Sequence, residues 1–217
     1  MNLRVIQTIA GTQTHHGGTS RSVPALCDAL NRMGVDNHLL TFQPRDAAIE
    51  CIYPNDHSRV HLIQESKFGR QIGIRKAVFE KLDALIQTDS RISIIHDHAV
   101  WLPSNHCFAK YCVKRSVRRV VSPRGMLGEW ALGHGKWKKK LAWVLYQHTD
   151  LKSATAFHAT SQQEAEEIRM LGLTQPIVVV PNGINFPEHL PKRNLQKGKR
   201  QALSYPNSSE EGTFGAD

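Results

Sequence analysis

The stretch Ile92–Leu102, Ile-Ser-Ile-Ile-His-Asp-His-Ala-Val-Trp-Leu, begins as an apolar run suited to a buried strand and turns polar at its end. Strand side chains alternate between faces, so His96 and His98 point one way and Asp97 the other. Imidazoles can donate, accept or carry a proton near neutral pH. A polar cluster at the C-terminal end of a buried strand is also where open α/β sheets hold ligands. The plainer reading is a pair of strand-end histidines bonded to neighbouring loops. Zinc is not expected, because two histidines at this spacing have no matching carboxylate or cysteine close by.

Three further stretches carry candidate chemistry. His15-His16-Gly17-Gly18-Thr19-Ser20 lies between an apolar strand pattern and a helical one. Its two glycines let a backbone approach a ligand closely, and a helix N-terminus beyond them offers free amides to an anion such as phosphate. The spacing is not G-x-G-x-x-G, and no acidic residue ends the second strand to hold a ribose, which disfavours a dinucleotide. Ser122-Pro123-Arg124-Gly125-Met126 follows another strand, where Arg124 can grip a carboxylate or phosphate by a forked contact or serve as an exposed loop residue. Lys136-Trp137-Lys138-Lys139-Lys140, followed by Leu141, Trp143, Val144, Leu145 and Tyr146, joins basic and aromatic residues on one helical pattern. It fits an anionic membrane surface or a lipid-phosphate acceptor. In the plainer alternative Leu141, Val144 and Leu145 pack on the sheet and the lysines are solvated.

The elements that must position these residues alternate in type. Strands are expected at Leu3–Ile9, Asn37–Phe42, Val60–Gln64, Ile92–His98, Arg119–Ser122, Ala154–His158 and Ile177–Val180. Helices are expected from Thr19 or Ser20 (either can cap) to Met33, then over Ile74–Ile86, Asn105–Lys114, Lys136–Leu151 and Gln162–Leu171, the last stopped by Gly172. Strands alternating with helices predict an α/β fold, a Rossmann-like doubly wound parallel sheet with helices on both faces. From Pro187 onward the pattern fails, so residues 187–217 are expected to be linker and disorder after a domain over 1–186.

Of the chain's 28 Lys and Arg, eleven lie between Pro103 and Lys152 against Glu129 and Asp150 alone. The net charge of +9 is therefore concentrated in one region. No helix-turn-helix, RNP-type or zinc-finger pattern accompanies it, and nucleic acid is not expected as a partner. No apolar run reaches the roughly 18 residues of a membrane span, and Val5–Ala10 is too short for a signal-peptide core. Cys27, Cys51, Cys107 and Cys112 show no CxxC spacing and are expected to be reduced. The expected location is cytoplasmic, peripheral at the inner face of the cytoplasmic membrane if the basic helix docks there.

Taken in order, Gly17-Gly18-Thr19-Ser20, His96-Asp97-His98, Ser122-Pro123-Arg124-Gly125-Met126, Thr160-Ser161 with Glu164, Ile168 and Gly172, and Val180-Pro181-Asn182-Gly183-Ile184 resemble a known series. They resemble the N-terminal, acceptor-side domain of a family 4 (group 1) retaining glycosyltransferase of GT-B fold, over roughly residues 3–186. The resemblance implies transfer of a sugar from a nucleotide-sugar donor to a lipid-linked or polysaccharide acceptor, in envelope or exopolysaccharide assembly, with no metal and no cofactor beyond the donor. By that resemblance Gly17, Gly18 and Thr19 lie beside the donor diphosphate and sugar. His98 is the catalytic histidine, acting by hydrogen bonding and charge stabilisation; Arg124 faces the acceptor, and Asn182 and Gly183 mark the approach to a hinge.

Members of that family bind the nucleotide mainly through a second Rossmann-like domain carrying an Arg, a Lys and a Glu-x7-Glu pair. Here Ser-Tyr-Pro-Asn follows Lys199–Leu203, and Glu210 and Glu211 are adjacent rather than spaced. The expectation is a truncated product, inactive by itself. A non-catalytic acceptor- or membrane-binding module and a nucleotide-cofactor oxidoreductase domain are the alternatives.

Overall fold

The computed structural model describes residues 3–64, 70–86, 92–128 and 140–183. Residues up to Gly183 belong to one compact unit. The expected linker at 187–217 and the lysines at 136, 138 and 139 lie outside the described residues.

Seven strands form one sheet: β1 (Leu3–Ile9), β2 (Asp36–Phe42), β3 (Val60–Ile63), β4 (Ile92–His98), β5 (Arg118–Ser122), β6 (Ala156–Ala159) and β7 (Ile177–Val179). Their order is β3-β2-β1-β4-β5-β6-β7 and every pairing is parallel. Between them run α1 (Gly18–Arg32), α2 (Arg70–Ile86), α3 (Pro103–Arg115), α4 (His148–Lys152) and α5 (Gln162–Met170), with a π-helical turn at Trp143–Gln147 leading into α4. This is the doubly wound sheet expected from the alternating pattern. The chain works outward from β1 to β3, then returns to place β4 on the other side of β1. The crevice of such a sheet opens at this reversal, between the C-terminal ends of β1 and β4.

Alternation along the central strands divides the core. Ile6, Leu40, Phe42 and Ile95 pack with Val78 and Leu82 of α2 and with Phe108 and Tyr111 of α3. On the opposite face Ile9 and Leu39 pack with Val23 and Cys27 of α1. Val121, Phe157, Ile168 and Leu151 form a third cluster under α4 and α5. Because buried parallel strands are apolar on both sides, the few polar residues along them stand out.

Several local expectations are corrected. The N-cap of α1 is Gly17, not Thr19 or Ser20; the Ser20 hydroxyl turns back to donate to the Gly17 carbonyl at 2.7 Å. Gly17 takes φ 84° and ψ −150°, a conformation that essentially only glycine tolerates, so the turn sets the helix start. The expected Lys136–Leu151 helix contains the π turn at Trp143–Gln147 in its described part. Its apolar face is not packed on the sheet: Leu141, Val144 and Leu145 are 52%, 80% and 67% exposed. Other boundaries agree closely. Pro103 opens α3 at its first turn, where its missing N–H costs nothing, and Ser161 caps α5 by accepting from the Glu164 amide at 3.1 Å.

Candidate active site

Asp97 and His98 end β4 on opposite faces and enter different networks. Asp97 accepts from Thr8 Oγ1 of β1 at 3.0 Å, Asn105 Nδ2 of α3 at 2.8 Å and Arg119 Nη1 of β5 at 3.2 Å. Burial pushes its carboxyl up to about 6, opposed by the Arg119 charge and by the Asn105 and Thr8 bonds. Arg119 also donates to the Asp150 carbonyl, and Asp150 holds His106 at 2.7 Å. One buried ion pair therefore joins β1, β4, β5, α3 and α4 at the strand end that presents His98.

His98 has no exposed surface. Its Nδ1 accepts from Arg124 Nη2 at 3.0 Å and from Arg124 Nε at 3.3 Å. A guanidinium can only donate, so Nδ1 carries the lone pair and the proton of neutral His98 sits on Nε2. That Nε2–H donates to Gln7 Oε1 at 2.7 Å, and Gln7 is oriented by donating its amide to Asn37 Oδ1 at 3.0 Å. Burial, with His96, Arg124 and His158 adding positive charge nearby, holds the His98 pKa well below its ordinary value. The ring is thus a neutral imidazole engaged on both sides.

His96 lies on the same face, its ring centroid 4.2 Å from that of His98 and 5.1 Å from that of His158 on β6. His158 Nε2 donates to the Val180 carbonyl at 2.9 Å, so its Nδ1 accepts from His96 Nε2 at 3.1 Å. Burial and the neighbouring positive groups lower His96 to about 3. Three imidazoles and one guanidinium therefore line the sheet edge from β4 to β6. Among the described residues no group of three His, Cys, Asp or Glu side chains is arranged to hold a metal ion.

Arg124 is placed by a tight turn in which it and Gly125 both have positive φ, 58° and 73°. The turn is pinned from α5: Glu164 Oε1 accepts from the Gly125 amide at 2.7 Å, and Oε2 accepts from the Thr160 amide at 2.6 Å and hydroxyl at 2.8 Å. Arg124 Nη1 also donates to Asn182 Oδ1. The fold thus brings three of the expected residues, His98, Arg124 and Asn182, into one connected set. Gly17, Gly18 and Thr19 stand across the reversal point, at the start of α1. Among the described residues, a side chain added at Gly17, Gly18 or Gly183 would meet no atom within 4 Å.

The sequence from residue 17 to 183 matches the family model of the glycosyl transferase 4-like domain. The chain belongs to this family. Solved structures agree at the level of the fold. A protein from Listeria monocytogenes assigned as a UDP-N-acetylglucosamine 2-epimerase superposes with a TM-score of 0.57 at 12% identity, over 82% of this chain and 45% of that one. The Anabaena protein HepE, solved with UDP and glucose, gives 0.56 at 13% identity, over 84% and 45%. The Neisseria meningitidis UDP-GlcNAc 2-epimerase bound to UDP-GlcNAc gives 0.51 at 7% identity, over 82% and 46%. These are proteins of the GT-B type, and the chain spans a little under half the length of each. A search of curated protein sequences finds no match.

Several residues of this glycosyl transferase 4-like domain escaped the sequence reading of the site. Gln7, His158 and Arg119 hold the named residues in place, and a signal for each was present; Glu164 stood in the motif series without a role assigned to it. Gln7 and Arg119 are polar interruptions of apolar strands. His158 lies at the C-terminal end of β6, two strands from the one carrying His96, and Glu164 stands three residues after a capping serine. A groove of about 480 Å³ between α5 and β7, lined by Gln162, Glu166, Arg169, Met170 and Val179 among others, includes none of the candidate site residues. Among the described residues no helix is long and apolar enough to cross a membrane.

Proposed function

We propose that this glycosyl transferase 4-like domain forms the acceptor-side wall of a site that transfers a sugar from a nucleotide donor to a lipid-linked or polysaccharide acceptor. The observation that carries this is the connected set His98–Arg124–Asn182 at the C-terminal end of the sheet, with the open glycine turn at Gly17-Gly18 following β1, the neighbour of β4. In such a transfer the bond from the sugar carbon to the diphosphate breaks, and the acceptor hydroxyl supplies the new one. Negative charge grows on the leaving phosphate. Free amides at the start of α1 and the Arg124 guanidinium are donors suited to that charge.

His98 serves in this scheme as a neutral hydrogen-bonding group. Its Nδ1 edge is covered by Arg124, so an anion that draws the guanidinium away frees that nitrogen for a sugar hydroxyl in the same step. The UDP and UDP-sugar bound to the structural relatives support a nucleotide diphosphate as the donor's leaving portion. A role at an anionic membrane surface, in envelope or exopolysaccharide assembly, is supported by the exposed Leu141, Val144 and Leu145 beside the lysine run.

Amide NMR of the full chain with UDP-glucose, UDP-N-acetylglucosamine and GDP-mannose tests the site. Shifts should change at Gly17, Gly18, Thr19, His98 and Arg124, and the Arg124→Gln variant should weaken the effect several-fold. Saturating ligands that leave all five positions unmoved would remove this reading.

A further inference from the structure

Among the described residues Arg124 is the only cation bonded to His98, and no carboxylate is ion-paired with it. What fixes its direction is the backbone from which it projects. Residues 124 and 125 form two successive positive-φ positions, a conformation that a non-glycine residue such as Arg124 adopts only at a cost. Such a turn persists only where neighbours over-determine it. Here the neighbour is Glu164. The residue is 3% exposed, and it spends one carboxylate oxygen on the Gly125 amide and the other on the Thr160 amide and hydroxyl. A carboxylate with three such bonds is a fixed point, and the turn hangs from it.

We propose that Glu164 is a positioning residue for the reacting centre: by clamping the Gly125 amide it aims Arg124 at His98 Nδ1. The chain of contacts runs from α5, through the β5 turn, to the end of β4, and Gln7 with Asn37 closes it on the other side of the ring. Glu164 also supplies the negative charge that supports ionisation of the partly buried guanidinium, which burial opposes. The groups facing His98 are His96 on its own strand, Arg124 from the β5 turn, His158 beyond His96, and Gln7 from β1, while Asp97 lies on the opposite face. The inference deepens the reading of His98 as the residue at the reacting centre, but its test reads His98 directly and requires no turnover.

The test is nitrogen NMR of the full chain carrying labelled histidine, with His98→Asn identifying the resonances. In the wild-type protein at neutral pH, Nε2 should be protonated and Nδ1 should show the shift of a hydrogen-bonded acceptor. Arg124→Gln supplies the reference for Nδ1 without the guanidinium. Glu164→Gln should move Nδ1 most of the way to that reference, because an amide cannot accept from both sides as the carboxylate does. The His98 titration midpoint should rise as the guanidinium leaves. If Glu164 acted only through space, loss of its negative charge would lower the midpoint instead. Thr160→Val removes one bond to Glu164 without touching Gly125, and should leave Nδ1 at the wild-type value.

An unmoved Nδ1 in folded Glu164→Gln overturns the proposal. An equal movement in Thr160→Val also overturns it, since that would mean general loosening of the start of α5. If Glu164→Gln does not fold, Glu164→Asp decides by the same criteria, because it keeps the charge but is one methylene too short to reach both partners. A chain that binds no nucleotide sugar would sink the functional reading above and leave this result standing.

Discussion

At the residue scale the site divides into groups that meet ligand and groups that hold them. The Asp97–Arg119 pair belongs to the second kind. Both side chains are at most 3% exposed, and the carboxylate takes bonds from three elements. A buried pair of this sort adds little net stability over an apolar substitute, but removing one partner strands the other charge. Arg119→Met should therefore destabilise the chain by about 3–5 kcal/mol in urea unfolding. The double variant Arg119→Met/Asp97→Asn should recover part of that loss. A loss below about 1 kcal/mol for the single variant, within the range of exposed pairs, would mean the pair is solvated. His98 shows the same division in reverse: the family resemblance marks it as a ligand-facing group, while its neutral state comes first from burial and its fixed tautomer from Arg124 and Gln7.

At the element scale the segment from Lys140 to Lys152 faces two ways. Toward the core, Gln147 Oε1 accepts from the Trp101 amide at 2.9 Å and Tyr146 donates to the Trp101 carbonyl at 3.1 Å. These bonds hold the turn after His98, where Ala99 and Trp101 have φ of 70° and 76°, strain of about 1–3 kcal/mol each. The π turn places both side chains inward, in keeping with the frequent occurrence of such turns at functional sites. Outward, Leu141, Val144 and Leu145 are exposed just after four lysines in five residues, and no acidic residue lies between Glu129 and Asp150. Apolar area beside positive charge is the composition of an interfacial helix. The full chain should float with vesicles containing anionic lipid, less with neutral vesicles, and lose binding in about 0.5 M salt as screening shortens to a few ångströms. Replacing Leu141, Val144 and Leu145 together by serine should abolish flotation while leaving the circular dichroism unchanged. Equal flotation of the triple variant would remove this face from membrane contact.

At the scale of the whole molecule, burial of neutral histidines makes stability depend on pH. His96 and His98 have pKa values held below the unfolded value of about 6.5, His96 at about 3. Below pH 6.5 the unfolded chain takes up protons that these two cannot, so their contribution is present above that pH and is lost as pH falls. Asp97 works in the other direction. Its folded pKa of about 6 lies above the reference of 3.8, so between those values the folded state binds the extra proton and offsets one histidine. Urea unfolding should therefore show stability falling from pH 7 to pH 5. His96→Gln should flatten that slope by about 1.4 kcal/mol per pH unit below pH 6. A profile level from pH 7 to 5 in the wild-type chain would contradict buried neutral imidazoles. The sequence by itself determined the alternating strands and helices, the parallel sheet and most element ends, because these follow from local periodicity and from residues such as Pro103, Ser161 and Gly172. It also marked His96, His98 and Arg124 by their place at strand ends, while the family resemblance singled out His98 and added Asn182. Only the tertiary structure decided that Arg124 bonds both His98 and Asn182, which tautomer His98 adopts, that Glu164 clamps the Arg124 turn, and that Leu141, Val144 and Leu145 face outward. Those outcomes depend on which strand ends become neighbours. Neighbouring strand ends here are separated by dozens of residues, a distance over which the pattern of apolar and polar residues carries no information about side-chain contact.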